Sequence, residues 1–291
     1  MSAHNSHKAS ASELSPLDVS DPTNYILESK LPATSSDKVK CYFFIGRLNP
    51  PHSGHIAALS QMVEIANAEG YMPVILLGDG PAKEQMENPI SFELKRDILL
   101  SKLRGEYVVL QRTNQLHQVM SFVKTSIARH SGGALHSVNI MQVAGNKEED
   151  TKKLDYMKPI LADATKELVG PDIEITTGTM AIDAVEVGGM KMSATIVRLD
   201  ACEEFVAGGD GSHFLAKYSE FYGAFTPHVY AAISAKAAEL SPAKLARYIE
   251  KEHNKLSGHV SGHKRKRIAS KTSKSKGGNR NKTRKYRRYL S

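Results

Sequence analysis

A chain of 291 residues with 41% hydrophobic content can bury one principal α/β core. It has no apolar run near the roughly 20 residues that cross a bilayer, and its first thirty residues lack the apolar stretch of a signal peptide, so a soluble protein of cytosolic type with no membrane partner is expected. The net charge of +8 belongs to one end: Lys255 to Ser291 hold 14 of the 39 Lys and Arg and no acid, leaving 25 basic against 31 acidic groups, a balance of −6, in the body.

Residues 1–37 are rich in Ser, Ala, Asp and His and are expected to form a disordered lead. The run Val39 to Ile45, stopped by Gly46, suits a strand buried on both faces. Apolar residues at helical spacing from His55 to Ala68, closed by Gly70, predict the first helix. Strand patterns follow at Val74 to Leu77, Tyr107 to Leu110, Val138 to Val143 and Ile173 to Thr176. Helical stretches separate them, one capped by Ser91 and running to about Leu103, another around Gln118 to Arg129. Strands alternating with helices imply a doubly wound parallel sheet, Rossmann-like in class. After about residue 200 only helices are expected, at Thr226 to Leu240 and Ser241 to His253, within a domain spanning 38–253. Residues 254–291 form a low-complexity basic tail. Cys41 and Cys202, far apart and without metal-ligand spacing, are expected as reduced, buried thiols.

The segment from Gly46 to His55, Gly-Arg-Leu-Asn-Pro-Pro-His-Ser-Gly-His, joins the first strand to the first helix, where ligands bind in open α/β sheets. His52 and His55 stand three residues apart at a helix start, beside free backbone N–H groups and the positive end of the dipole, a chemistry that suits phosphates. Gly54 removes a side chain where a base or phosphate would approach the backbone. His-x-Gly-His directly after a buried strand resembles the signature of the nucleotidyltransferase superfamily, the adenylyltransferases and cytidylyltransferases. The flanking Gly46-Arg47-Leu48-Asn49-Pro50-Pro51 is most similar to the mononucleotide adenylyltransferases of NAD synthesis.

A second element is Met192-Ser193-Ala194-Thr195-Ile196-Val197-Arg198. Two hydroxyls at an expected helix start, with an arginine just over one turn on, make a second anion cradle. It resembles the Ser-x-Thr-x-x-Arg element that grips the β- and γ-phosphates in the same superfamily. Lys191-Met192-Ser193 also resembles the Lys-Met-Ser-Lys-Ser loop of class I aminoacyl-tRNA synthetases, but Thr195 replaces its second lysine and only about 130 residues separate the two motifs.

Asn88-Pro89-Ile90-Ser91, with Arg96 following, is similar to an acceptor-side segment of archaeal-type adenylyltransferases, which implies Asn88 and Arg96 as acceptor contacts. Asn146 stands where the family usually has an acid on the nucleotide. No Trp is available to stack on a nicotinamide ring, for which Phe92 or Tyr107 could substitute.

The resemblance covers residues 38–200 and implies transfer of a nucleoside monophosphate, most readily AMP from ATP, to a phosphate-bearing acceptor such as nicotinamide mononucleotide. It implies His52, His55 and Arg198 as catalytic, Gly46, Arg47, Asn49, Gly54, Asn146, Ser193 and Thr195 as nucleotide-binding, and Mg²⁺ carried by ATP or CTP. A cytidylyltransferase acting on a phosphorylated alcohol, and an inactive nucleotide- or nucleic-acid-binding protein, are the alternatives. The tail is a polycation suited to nucleic acid or another polyanion. It also resembles the basic C-termini of giant DNA virus proteins, and nuclear targeting, virion association and a merely solvated tail all remain open readings of it.

Overall fold

The computed structural model describes residues 37–78, 86–112, 115–130, 134–145, 148–182 and 192–257. Strand β1 (Lys38–Gly46) sends Val39, Cys41 and Phe43 to one face and Tyr42 and Phe44 to the other, all buried, as its nearly continuous apolar run requires. It lies at the centre of a five-stranded sheet of order β3-β2-β1-β4-β5, with β2 (Val74–Leu77), β3 (Val108–Gln111), β4 (Ser137–Gly145) and β5 (Glu174–Ile182). All four pairings are parallel, with Phe44 matched to Ile75 of β2 and to Val143 of β4.

Helices cover both faces, as parallel strands buried on two sides demand. Helix α1 (Ser53–Ala68) packs Leu59, Met62 and Ala66 beneath Tyr42 and Phe44, together with α2 (Phe92–Lys102) through Leu99. On the opposite face α3 (Gln115–Ala128) and α4 (Glu148–Val169) pack Phe122, Val123 and Leu161 against Cys41, Phe43 and Ile140. The chain adds β2 and β3 to one side of β1 and β4 and β5 to the other, so β1 and β4 border the point where strand order reverses.

Ser91 caps α2 as expected, accepting from the Leu94 N–H at 3.3 Å. Two expectations need correction. β5 runs to Ile182 rather than ending near Thr176, because Gly178 lies opposite Met141 of β4 and the methionine sulfur occupies the space a Cβ would take, 2.5 Å away. A glycine that reads as a strand breaker is here a close approach. The last helix also continues past His253 to Leu256.

The final third is helical: α5 (Ala194–Val206), α6 (Ser212–Tyr222), a 3₁₀ turn (Gly223–Phe225), α7 (Thr226–Ala238) and α8 (Pro242–Leu256). Helix α6 lies outside the helices that the sequence pattern predicts, and its Phe214, Tyr218 and Tyr222 stand four residues apart on one buried face. With Val229, Ile233 and Leu245 they build a core of their own, which also takes in Met86, Ile90 and Ile98 from the segment around α2. Each such side chain contributes about 1.5–3 kcal/mol on full burial.

Cys41 and Cys202 are free and buried, and desolvation pushes both thiols up to about 12, so neither is a nucleophile near neutrality. Among the described residues no helix is long and apolar enough to cross a membrane. The lead 1–36 and the tail from residue 258 lie outside the described residues.

Candidate functional site

Strand β1 ends at Gly46, whose carbonyl accepts from the Gly78 N–H at 2.9 Å. A Cβ at Gly46 would stand 2.4 Å from the Phe44 ring, so a side chain at this strand end would have to displace that ring. Arg47 is exposed. The loop then turns inward through Leu48, buried with φ 44°, and through the cis Asn49–Pro50 bond. A left-handed leucine costs on the order of 1 kcal/mol or more, and its burial holds it in place.

The Asn49 amide closes this loop onto the segment before α2, accepting from the Ile90 N–H at 2.8 Å and donating to the Ile90 carbonyl at 3.5 Å. At 3% exposure it is committed to protein backbone. Asn88 lies two residues away on that segment and is part-buried.

His52 is the N-cap of α1 in an extended conformation and makes no side-chain cap bond, and the first helical hydrogen bond runs from Ile56 N–H to its carbonyl at 3.0 Å. The preceding first-turn N–H groups therefore have no intrahelical acceptor. His52 and His55 meet over this turn, ring centroids 3.6 Å apart and planes tilted 35°, both half-buried. Gly54 is half-buried between them. Ser53, absent from the expected site, brings a hydroxyl that is 4% exposed and has no hydrogen-bond partner. Its position between the two histidines was the available signal.

The second motif opens α5. Ser193 is its N-cap, accepting from the Ile196 N–H at 3.2 Å, and Ser193 and Thr195 are both half-buried. Arg198 is 7% exposed and turned into the protein. Its Nη1 donates to the Asn49 carbonyl, its Nε to the Tyr248 hydroxyl at 2.9 Å, and its Nη2 to Thr195 Oγ1 at 3.3 Å. The Glu252 carboxylate of α8, fully buried, stands 4.0 Å from Nη2 and also pairs with Lys255. The arginine thus joins the two motifs: one fork binds the loop of the first, a hydroxyl of the second, and α8 behind both.

Two tyrosines complete this support. Tyr222 of α6 donates to the Pro51 carbonyl at 2.6 Å, and Tyr248, which burial pushes up to about 12, donates to the Met86 carbonyl at 3.5 Å. Neither carried a sequence signal, since each meets a partner more than 160 residues away in the chain.

The acceptor-side residues are placed differently from one another. Arg96 lies on the surface, pairing with its neighbour Asp97 at 3.0 Å and leaning on the Phe92 ring at 6.0 Å. Lys95 beside it is fully buried and donates to the Gly78 carbonyl at 3.1 Å. Phe92 and Tyr107 pack at the margin of the core beneath α1. Asn146 falls outside the described residues, as do Asp79, Gly80 and Lys191. Among the described residues no group of three or more His, Cys, Asp or Glu could hold a metal ion.

No family model matches the chain, and no curated protein matches it. Among solved structures it is similar to a crystal structure of Thermotoga maritima TmcAL bound with alpha-thio ATP, at 16% identity and a TM-score of 0.31. The match covers 57% of this chain and 51% of that one, so the chain spans about half the length of the neighbour.

Proposed function

We propose that this chain is a nucleotidyltransferase of the His-x-Gly-His type, passing a nucleoside monophosphate from ATP or CTP to a phosphate-bearing acceptor. The observation that carries this reading is the pair of imidazoles stacked at 3.6 Å over the uncapped start of α1, at the carboxyl end of the central strand. Imidazole donors and orphan backbone N–H groups converging on one point suit the α-phosphate of a bound nucleotide.

In the reaction an oxygen of the acceptor phosphate attacks the α-phosphorus in line, a new P–O bond forms, and the bond to the β-phosphate oxygen breaks to release pyrophosphate. His52 and His55 stabilise charge developing on the α-phosphate. Ser193 and Thr195, at the second helix start, receive the leaving β- and γ-phosphates. Arg198 fixes these two helix starts against one another through Asn49 and Thr195 and adds its positive charge from behind. Arg47, exposed beside the loop, is a further phosphate contact. Mg²⁺ enters on the triphosphate and supplies charge neutralisation there, with few protein ligands. Catalysis of this kind is positioning and electrostatics more than covalent chemistry.

A second reading, a domain that binds nucleotide without turning it over, draws on the inward commitment of Arg198. One assay separates them: pyrophosphate release with Mg²⁺ and ATP or CTP across nicotinamide mononucleotide, nicotinate mononucleotide, phosphopantetheine, glycerol 3-phosphate and phosphocholine. Release with one acceptor, reduced about 100-fold or more in His55→Ala, is the expected result. Nucleotide binding without release in the whole panel selects the second reading.

A further inference from the structure

The last helix keeps its cations in line. At about 100° per residue, Lys244, Arg247, Lys251 and Lys255 of α8 fall within about 80° of its circumference, in a row roughly 16 Å long, and all four are exposed. The acids of α8 stand apart from that row: Glu252 is buried beside Arg198, and Glu250 lies about 60° beyond Arg247. Its apolar side chains Leu245 and Tyr248 face the core.

Charge pairing within the protein uses only part of this row. Lys251 meets Glu87 at 3.0 Å and Lys255 meets Glu252, yet their side chains remain 55% and 53% exposed. An ammonium has three N–H donors, so each can take a further acceptor. Lys244 and Arg247 make no ion pair among the described residues, although the body of the chain is net acidic. Of the 14 Lys and Arg from Lys255 onward, all but Lys255 itself follow the helix, in residues 258–291, with no acid among them. Helix and following sequence thus carry one sign of charge, and a polyanion relieves the mutual repulsion along them.

We infer that the outer face of α8 is a nucleic-acid interface that binds the phosphate backbone, with the basic sequence after it extending the contact. Duplex DNA presents about one charge per 1.7 Å of its axis, so roughly ten phosphates run beside a row of this length. No large apolar side chain stands within the row, as a helix lying in a bilayer surface would require. This surface stands apart from the nucleotidyltransferase reading, since α8 meets Arg198 through its buried side, by Tyr248 and Glu252.

The full chain is titrated into a fluorescent DNA duplex of about 20 base pairs, and affinity is read by anisotropy over a range of salt concentrations. Lys244→Gln/Arg247→Gln removes two phosphate contacts, so the slope of log affinity against log salt should flatten by about 1.8, with affinity at least about tenfold lower near 0.05 M salt. Lys124→Gln/Lys166→Gln removes two exposed cations from α3 and α4 instead, and should change affinity by less than about twofold, because screening weakens charges away from the interface. The charge-keeping exchange Lys244→Arg/Arg247→Lys should bind as the unaltered chain does. Equal losses from the two glutamine pairs would assign binding to net charge and the basic tail alone, and so overturn the inference. Loss of binding in the charge-keeping exchange would overturn it as well, since phosphate charge would then not be what α8 meets. Weaker binding of the α8 pair to phosphatidylserine vesicles, with the duplex bound as before, would give this face to a membrane and sink the nucleic-acid assignment.

Discussion

The two helix starts that frame the candidate site handle their polar groups in opposite ways. At α1 the start carries no side-chain cap: His52 and His55 stack half-buried over first-turn N–H groups that have no intrahelical acceptor, with the Ser53 hydroxyl between them in the chain. At α5 the cap is closed by Ser193, and the strongest charge, Arg198, points back into the protein against Asn49, Tyr248 and Glu252. In the proposed site the two helix starts would therefore serve unequally, one presenting donors and the other bracing the loop that presents them. Motif matching alone treats the two alike. Burial separates them.

The contrast is sharpest in stability. Arg198→Ala removes a buried guanidinium together with its bonds to Asn49, Tyr248 and Thr195, while Glu252 keeps Lys255, and should cost about 2–3 kcal/mol in denaturant unfolding. His55→Ala, at a half-buried position, should cost about 0.5 kcal/mol while reducing pyrophosphate release about 100-fold or more. Equal losses from the two variants would erase the distinction between presenting and bracing. Tyr222→Phe tests the brace with less disturbance. It deletes the bond to Pro51 and leaves that buried carbonyl unpaired, for an expected loss of about 1.5 kcal/mol, with faster amide exchange in residues 52–55 as the specific sign. No change in that exchange would mean that α6 does not steady the loop.

The smallest effect is expected at the outer end of α8, where Lys251 pairs with Glu87 at 3.0 Å. Burial raises the Glu87 carboxyl, but the hydrogen bond and charge of Lys251 outweigh it and hold the group below its ordinary 4.5. Because the folded value is the lower one, this stabilisation is present above about pH 4.5 and is lost as pH falls through the folded value. Lys251 is largely exposed, so screening limits the effect: Glu87→Gln should lose about 0.5 kcal/mol near neutrality and nothing in acid. A deficit that persists in acid would show that packing, not the ion pair, joins α8 to this segment.

Much of the sheet was legible because its strands are short apolar runs closed by glycine. Val74 to Leu77 coincides with its pattern, and β1 and β4 differ from theirs by two residues or fewer at either end. The excess length of β5 was not legible, since it depends on which side chain of β4 covers Gly178. In the site, the positions of His52, His55 and Ser193 at helix starts followed from local order along the chain. What Arg198 touches did not, because Asn49 and Tyr248 are 149 and 50 residues away. Nor did the contrast between Lys95 and Arg96: adjacent cations on a helix point about 100° apart, and only the packing of α2 decides which is enclosed.

The core of the helical third has a consequence for how this chain can be divided. Ile90 and Ile98 belong to it, although the helices they meet begin about a hundred residues later. A chain cut between β5 and α5 would leave these isoleucines uncovered on one fragment and the ring face of Phe214, Tyr218 and Tyr222 uncovered on the other. Neither piece should persist alone, and limited proteolysis should yield loss of the whole rather than a resistant half. The same long-range closure makes the last helices late partners in folding: they can coil early from local contacts, but they dock only once the α2 segment has been laid down against the sheet.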